Sequence, residues 1–402
     1  MKSDSAATAR FLVAASIVIC VLSAPACAQN TRERAQLPPV STPLAEPDMA
    51  ELVRSLGIVQ SDLPVREFLK TWHPPKKIVV FPDNNTNRMA WLRKVVPAGV
   101  QLVEARTPEK GMKELRDADA QVGNICTKAF VNATGPNFEW VQDNHDGVDA
   151  CFLGADVPSK IKPGGTVVVT NIQRVASSIV GYHAISLMMA LSRGLEVYAR
   201  DDVTGNFPRI DPNQLWDLHG RTLLVAGLGG IGSTVARAAH DLGMHVIATN
   251  GSIPKTIPDY VEHVGLPGEL LSLAPKADVV VSGLPLTAET KGVFNAAFFA
   301  AMKHGAMFIN VTRGEEVIEP DLVAALKSGQ VGSAGLDVSN SLEGNPLLTI
   351  PTVLMTPHMS GQASGTEINL GGEVTWQLAR ENLRRFITGD RLLSVVYPAR
   401  GY

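Results

Sequence analysis

A glycine-rich segment in the second half of the chain has the residue types and spacing of a turn that binds a dinucleotide. The segment Gly227-Leu228-Gly229-Gly230-Ile231-Gly232 lies between the hydrophobic run 222–226 and a helical pattern at 233–242. In such a turn Gly227 permits the tight bend, Gly229 lets the backbone approach a pyrophosphate, and Gly232 lets helix and strand pack closely. The helix N-terminus supplies amide donors and a favourable dipole for the phosphates. A glycine turn without a ligand is the alternative, and the strand and helix around it disfavour that interpretation.

The residue after the next strand indicates which dinucleotide binds. An acidic residue there takes the ribose hydroxyls and repels a 2′-phosphate. This chain has Asn250 instead, followed by Ser252 and Lys255, which could reach a 2′-phosphate. A solvated loop charge is the alternative interpretation of Lys255. The sequence therefore predicts NADP or NAD, with NADP favoured.

Strand-like and helical patterns alternate along most of the chain and would position these residues. One set of hydrophobic runs lies at 77–81, 100–103, 121–126, 138–142 and 166–170, and a second set at 222–226, 245–249, 279–282, 307–311 and 333–338. Helical patterns lie between them, with a long apolar helix at 179–191 and a final helix at 373–387 that should pack on the first set. Such alternation is typical of parallel, doubly wound α/β sheets.

Composition excludes several classes of protein. The chain has 402 residues, and 36 Lys and Arg against 39 Asp and Glu give a net charge of −3. A chain with 45% hydrophobic and 19% charged residues can bury a sizeable core. Its slightly acidic balance and 5% aromatic content argue against a nucleic-acid partner. The length favours two domains around a cleft.

The N-terminus predicts a targeting segment. Lys2 and Arg10 precede the uncharged run 11–24, and Ala26-Cys27-Ala28 offers small residues for a signal peptidase. We expect cleavage after Ala28 and a periplasmic or secreted protein with no membrane contact afterwards; a start codon assigned too early would make it cytoplasmic. Residues 29–76 are interpreted as an N-terminal extension.

Only two cysteines, Cys126 and Cys151, remain after the predicted cleavage. The favoured interpretation is that both are small buried thiols. One disulfide between them is the alternative in an oxidising compartment. No metal site is predicted, because the histidines and cysteines have no metal-binding spacing and the chain has no HExxH or CxxC motif.

Five spaced motifs together resemble the D-isomer-specific 2-hydroxyacid dehydrogenase family, nearest to its glyoxylate/hydroxypyruvate reductase-like branches. In chain order they are Gly227–Gly232, Pro285-Leu286-Thr287 with Thr290, Asn310-Val311-Thr312-Arg313-Gly314, Gly335-Leu336-Asp337-Val338 and Thr356-Pro357-His358-Met359-Ser360-Gly361. The resemblance implies an α/β fold of two domains. A Rossmann-type doubly wound parallel sheet at 183–361 would be inserted into a flavodoxin-like substrate domain formed by 77–182 and 362–402. It also implies a homodimer.

The resemblance further implies the roles of individual residues. Arg313 would bind the substrate, His358 would be the acid/base, and Asp337 would hold the nicotinamide carboxamide. The substrate carboxylate would lie on the loop Asp146-Gly147-Val148. The cofactor-binding residues would be Gly227, Gly229, Gly230, Ile231, Gly232, Asn250, Ser252, Leu284, Pro285, Thr290, Val311, Thr312, Asp337 and His358.

Two segments depart from the family pattern. The family's catalytic glutamate normally lies five residues after the aspartate, where this chain has Leu342, and we assign the role to Glu343. His145 and Asp146 stand where small residues are usual.

These observations predict an oxidoreductase that transfers a hydride between NAD(P)H and a small 2-keto or 2-hydroxy acid, such as glyoxylate or hydroxypyruvate. A dinucleotide-binding sensor or interaction protein with weak or lost turnover is one alternative, motivated by the shifted Glu343. A dehydrogenase of the formate or phosphite type is the other.

Overall fold

A computed structural model describes residues 48–83, 85–123, 126–201, 205, 209–341, 343–362 and 372–397. The predicted leader, its cleavage after Ala28 and the extension up to residue 47 lie outside the described residues. Within the part of the chain that is described, no helix is long and apolar enough to cross a membrane.

Six strands form the first sheet in the order β13-β5-β4-β3-β1-β2, and only the pair β13–β5 is antiparallel. The order of the first five strands is the flavodoxin-like 2-1-3-4-5. Their continuous apolar runs follow from burial on both faces. The strands are β1 Lys77–Val80, β2 Gln101–Glu104, β3 Ala120–Val122, β4 Trp140–Gln142, β5 Val168–Thr170 and β13 Val395–Val396.

Seven parallel strands form the second sheet in the order β12-β11-β10-β9-β6-β7-β8. This is the Rossmann order 3-2-1-4-5-6 with one further strand. Because its strands all lie between β5 and β13 in sequence, the second sheet is inserted into the first, as predicted. The strands are β6 Thr222–Ala226, β7 His245–Thr249, β8 His263–Gly265, β9 Val279–Ser282, β10 Ala306–Asn310, β11 Val331–Leu336 and β12 Val353–Met355.

Helices cover both sheets and exclude water from their apolar faces. The final helix packs on the first sheet, as predicted, and Phe386 stacks on Trp140 with ring centroids 4.8 Å apart. The helices are α1 Met49–Leu56, α2 Val65–Phe68, α3 Arg88–Arg93, α4 Pro108–Glu114, α5 Lys128–Ala133, α6 Asp149–Phe152, α7 Ser177–Ser192, α8 Leu195–Asp201, α9 Gly230–Asp241, α10 Leu270–Leu273, α11 Ala296–Ala301, α12 Glu319–Ser328 and α13 Glu373–Thr388.

The described part of the extension docks on the final helix. Asp48 caps α1 by accepting from the amide of Ala50 at 2.9 Å, and Gly57 ends the helix at φ 63°. The apolar face of α1, which includes Leu52, packs against a cluster that contains Leu378 of α13. The extension therefore adds to an existing core.

The two cysteines of the first sheet's domain form a disulfide, so the favoured interpretation of two free thiols was wrong. Cys126 lies in the loop between β3 and α5, and Cys151 lies in α6. Both side chains are fully buried in one apolar cluster, and their Cα atoms are 5.5 Å apart, within the range that a disulfide spans. Sequence alone could not show this proximity, because the two segments are brought together by the packing of the sheet.

Candidate functional site

The predicted site residues of the second sheet all follow strands at its carboxyl edge. Because neighbouring parallel strands end together, residues far apart in sequence meet there. Gly227–Gly232 follow β6; Asn250 and Ser252 follow β7; Leu284, Pro285 and Thr290 follow β9; Val311, Thr312 and Arg313 follow β10; Asp337 follows β11; His358 follows β12.

The glycines of the turn are needed for different reasons: backbone conformation, packing, or the approach of a coenzyme. Gly227 has φ 91°, which an L side chain rarely adopts. A Cβ on Gly232 would lie 1.9 Å from the carbonyl oxygen of Gly227, so packing excludes a side chain. A Cβ on Gly229 would meet no described protein atom within 4 Å. The fold therefore does not require Gly229, whereas a pyrophosphate on the N-terminus of α9 would, and these residues fit a dinucleotide.

The loop after β7 presents polar groups without an acidic side chain at its start. The amide of Asn250 donates to the carbonyl of Gly265 at 3.0 Å, and its side-chain Nδ2 donates to the carbonyl of Ser252 at 2.9 Å. Ser252 and Lys255 are exposed. The loop fits the ribose of either coenzyme.

Hydroxyl groups fix the turn after β9. Thr290 Oγ1 donates to the carbonyl of Pro285 at 2.6 Å and accepts from the amide of Thr287 at 2.8 Å. These bonds hold Leu284 and Pro285 at the sheet edge, beside the loop after β10.

Arg313 crosses from the second sheet to the loop Asp146–Val148 of the first, which is predicted to hold the substrate and is called the substrate loop below. Its Nε donates to Asp149 Oδ1 at 3.1 Å, and its Nη1 donates to the carbonyl of Thr312 at 3.0 Å. Gly147 packs so closely that a Cβ there would lie 1.8 Å from Nη2. The structure thus brings Arg313 together with the loop Asp146–Val148.

The substrate loop is held by buried polar groups. Asp143, fully buried, accepts from the amide of Cys126 at 2.7 Å and from the amide of His145 at 2.8 Å. Asn171 Nδ2 donates to the carbonyl of Asp146 at 2.6 Å, and Val148 is buried. Burial raises the pKa of Asp143, and the hydrogen bond to Asp143 raises the pKa of His145. The loop is therefore anchored at both ends, with the disulfide beside it.

Asp337 organises the loop that carries His358. Its Oδ1 accepts from Thr356 Oγ1 at 2.5 Å and from the amide of Met359 at 2.9 Å, and its Oδ2 accepts from the amide of Ser360 at 2.9 Å. His358 is exposed with φ 51°, a left-handed conformation that only surrounding contacts stabilise in a residue other than glycine. Asp337, Val338, Ser339, Pro357 and His358 line one small cavity.

Glu343 lies in an exposed turn, where its carbonyl accepts from Ser341 Oγ at 3.4 Å. No hydrogen bond or ion pair joins Glu343 to His358 in the described structure. Its assignment as the partner of His358 remains a prediction.

Sequence reasoning missed a buried cluster beside Arg313. Glu316 is fully buried, and its Oε2 accepts from Ser282 Oγ at 2.6 Å and from Thr312 Oγ1 at 2.8 Å. Burial raises the pKa of Glu316 to about 7. No sequence signal distinguished it from its neighbour Glu315. In the described residues, no group of three or more His, Cys, Asp or Glu side chains could hold a metal ion.

Comparisons with known proteins point to one family. The model of the D-isomer specific 2-hydroxyacid dehydrogenase NAD binding domain matches residues 185–360. The hydroxypyruvate reductase of Blautia hydrogenotrophica is 32% identical over 231 residues, 55% of this chain and 69% of that protein. The chain belongs to the D-isomer specific 2-hydroxyacid dehydrogenase family. Its members are NAD(P)-dependent oxidoreductases of CH–OH donors, and this chain is such an enzyme.

Other relatives set the extent of the likeness. The glycerate dehydrogenase of Methylorubrum extorquens is 29% identical over 296 residues, 70% of this chain and 87% of that protein. The D-3-phosphoglycerate dehydrogenase of Methanocaldococcus jannaschii is 28% identical over 301 residues, 74% of this chain, but the chain spans only 55% of its length. The crystal structure of the family member from Xanthobacter autotrophicus Py2, in complex with NADPH and MES, superposes with TM-score 0.66 at 27% identity, covering 82% of this chain and 100% of that one.

Proposed function

We propose that the protein reduces small 2-keto acids such as glyoxylate or hydroxypyruvate to the 2-hydroxy acids. The observation that carries the proposal is the contact between Arg313 and the loop Asp146–Val148. It places a guanidinium and backbone amides, both able to bind a carboxylate, at the edge of the sheet where the coenzyme turn lies. The names of the relatives, hydroxypyruvate reductase and glycerate dehydrogenase, support the substrate class.

Each residue has a distinct task in this reaction. The bound coenzyme supplies the hydride. Arg313 binds the substrate carboxylate and polarises the adjacent carbonyl, and His358 donates the proton that the new alkoxide needs. Asp337 positions the backbone of His358 through the loop bonds described above.

Glu343 is proposed as the residue that orients the His358 ring, which requires the turn around Ser341 to rearrange when substrate binds. Glu343→Gln should then lower turnover and shift its pH optimum. An unchanged pH profile would remove Glu343 from the site.

NADP is the favoured coenzyme. Asn250 carries no charge that would repel a 2′-phosphate, and Lys255 is close in sequence and exposed. A lower dissociation constant for NADPH than for NADH is expected in equilibrium binding, and a clear preference for NADH would contradict this assignment.

A homodimer and export are two further proposals. Tyr182 and Met189 of α7 and Leu195 at the start of α8 expose apolar surface, which a second copy would cover. The buried Cys126–Cys151 disulfide supports export, because disulfides persist in oxidising compartments. Sedimentation velocity tests the homodimer, and mass spectrometry of the mature N-terminus in cell fractions tests export.

Oxidation of NADPH and NADH, followed by absorbance, tests the activity with glyoxylate, hydroxypyruvate and pyruvate. Turnover by the wild type that is lost in His358→Ala, with NADPH affinity retained, is the expected result. Coenzyme binding without turnover would favour a sensor or interaction protein. Reduction of NAD(P) by formate or phosphite would favour the third function.

A further inference from the structure

Asp146 is a half-buried acid in the substrate loop that the proposed reaction does not use. Its Oδ1 is buried and has no hydrogen-bond partner among the described residues. The backbone on either side is fixed, because the amide of His145 donates to Asp143, Asn171 donates to the carbonyl of Asp146, and Gly147 packs on Arg313. An acid without a partner therefore lies beside the cation that should bind the substrate.

The charges around Asp146 make its protonation state important. Desolvation has the largest effect and raises the pKa of Asp146 to about 7. The charges of Arg313 and His145 lower this pKa, whereas Asp143 raises it, as desolvation does. Arg313 is already paired with Asp149 at 3.1 Å. Glu316, three residues after Arg313, is a further buried acid near the guanidinium.

An incoming carboxylate must therefore share Arg313 with Asp149. If Asp146 is also ionised, at least two carboxylates of the protein and one of the ligand lie around a single guanidinium, and like charges in a poorly solvated site repel strongly. If Asp146 is protonated, that repulsion is absent, and its O–H can donate to a ligand oxygen.

We propose that Asp146 is a specificity-determining residue that admits a monoanionic ligand at Arg313 only while its own carboxyl group is protonated. The inference rests on the proposed reduction of 2-keto acids. In this proposal the substrate loop controls anion binding, which neither Arg313 nor His358 does.

Binding of oxamate, a monoanionic analogue of a 2-keto acid, tests the inference by isothermal titration calorimetry on the protein saturated with NADPH. His358→Gln is placed in every protein compared, so that the titration of His358 does not contribute. If only the protonated form binds, the dissociation constant should rise about tenfold between pH 6 and pH 8. When Asp146→Asn is combined with His358→Gln, the dissociation constant of oxamate should stay constant between pH 6 and pH 8.

Proton uptake gives a second, independent measurement. Titrations near pH 8 in two buffers with different ionisation enthalpies should show that oxamate binding takes up close to one proton with Asp146 and none with Asp146→Asn. Asp156→Asn is the matched control, because Asp156 is an exposed acid that pairs only with Lys128 among the described residues. It should retain the pH dependence, and NADPH affinity in each variant shows that the fold is intact.

The outcomes separate this inference from the function on which it rests. A tenfold pH dependence that persists with Asp146→Asn and disappears with His145→Gln would overturn the inference and leave the reductase intact. Oxamate affinity that does not change with pH would also overturn it. If NADPH binds but oxamate binds to none of the proteins at any pH, and the wild type reduces no 2-keto acid, the proposed function fails as well.

Discussion

Loss of the Cys126–Cys151 disulfide should destabilise the domain of the first sheet by about 3.5 kcal/mol. The bond closes a segment with a sequence separation of 25 residues. For a loop of about that length, the lost chain entropy of the unfolded state is about 12 cal/mol/K, which corresponds to about 3.5 kcal/mol at 25 °C. The segment contains β4 and the substrate loop, so the bond restrains the part of the chain that faces Arg313.

Cys126→Ala/Cys151→Ala is the suitable perturbation. Both cysteine side chains are fully buried, and alanine replaces them without burying a hydroxyl group. Urea unfolding followed by tryptophan fluorescence measures the effect, because four of the five tryptophans, Trp72, Trp91, Trp140 and Trp376, pack in the core of the first sheet. Dithiothreitol should destabilise the wild type by about as much as the double substitution does.

The double variant itself is the control, since a reductant should not change its unfolding midpoint. The substrate loop gives a second measurement: the amide of Cys126 donates to Asp143, so the loss of the bond should raise KM for the keto acid more than it lowers kcat. Equal wild-type midpoints with and without dithiothreitol, or two free thiols by non-reducing mass spectrometry, would refute the reasoning.

Three further predictions follow from the coenzyme-binding half of the site. Gly229→Ala should change the free energy of unfolding by no more than about 0.5 kcal/mol but weaken NADPH binding about tenfold or more. Gly232→Ala should weaken binding and also lower the unfolding midpoint, because a Cβ at Gly232, unlike one at Gly229, overlaps protein atoms. Burial raises the folded-state pKa of Glu316 from 4.5 to about 7, so the wild type loses stability as pH rises through that interval. The free energy of unfolding of Glu316→Gln, compared with that of the wild type, should therefore be about 2–3 kcal/mol more favourable at pH 8 than at pH 5. Asn250→Asp should raise the Kd of NADPH more than that of NADH, because the new charge repels the 2′-phosphate, and fluorescence titration measures both.

The coenzyme half of the site could be predicted from sequence because its signals are local. The glycine turn, the strand before it and the helix after it are contiguous, and each glycine reports a backbone or packing constraint. The hydrophobic runs that predicted the strands before Arg313 and Asp337 were equally clear. The short strands β8, β12 and β13 were missed.

The run 121–126 shows a different limit of sequence reasoning. Its apolar residues predicted a strand as far as Cys126, but β3 ends at Val122. Cys126 is buried outside the strand, where it forms the disulfide, and hydrophobicity alone does not distinguish a buried residue of a loop from one of a strand.

The substrate half depends on contacts between segments that are far apart in sequence, which is why its chemistry could only be inferred by resemblance. Arg313 and Asp149 are 164 residues apart, and nothing in either segment predicts their ion pair. If the substrate carboxylate binds Arg313 as proposed, it must compete with the carboxylate of Asp149 for the guanidinium. Under that proposal, the loop that carries Asp146 and the start of α6, where Asp149 lies, set the outcome of this competition, whereas the coenzyme turn takes no part in it. Differences in substrate between this chain and its relatives should therefore follow the acids of that loop, and exchanging them should change substrate preference without changing the preference between NADPH and NADH.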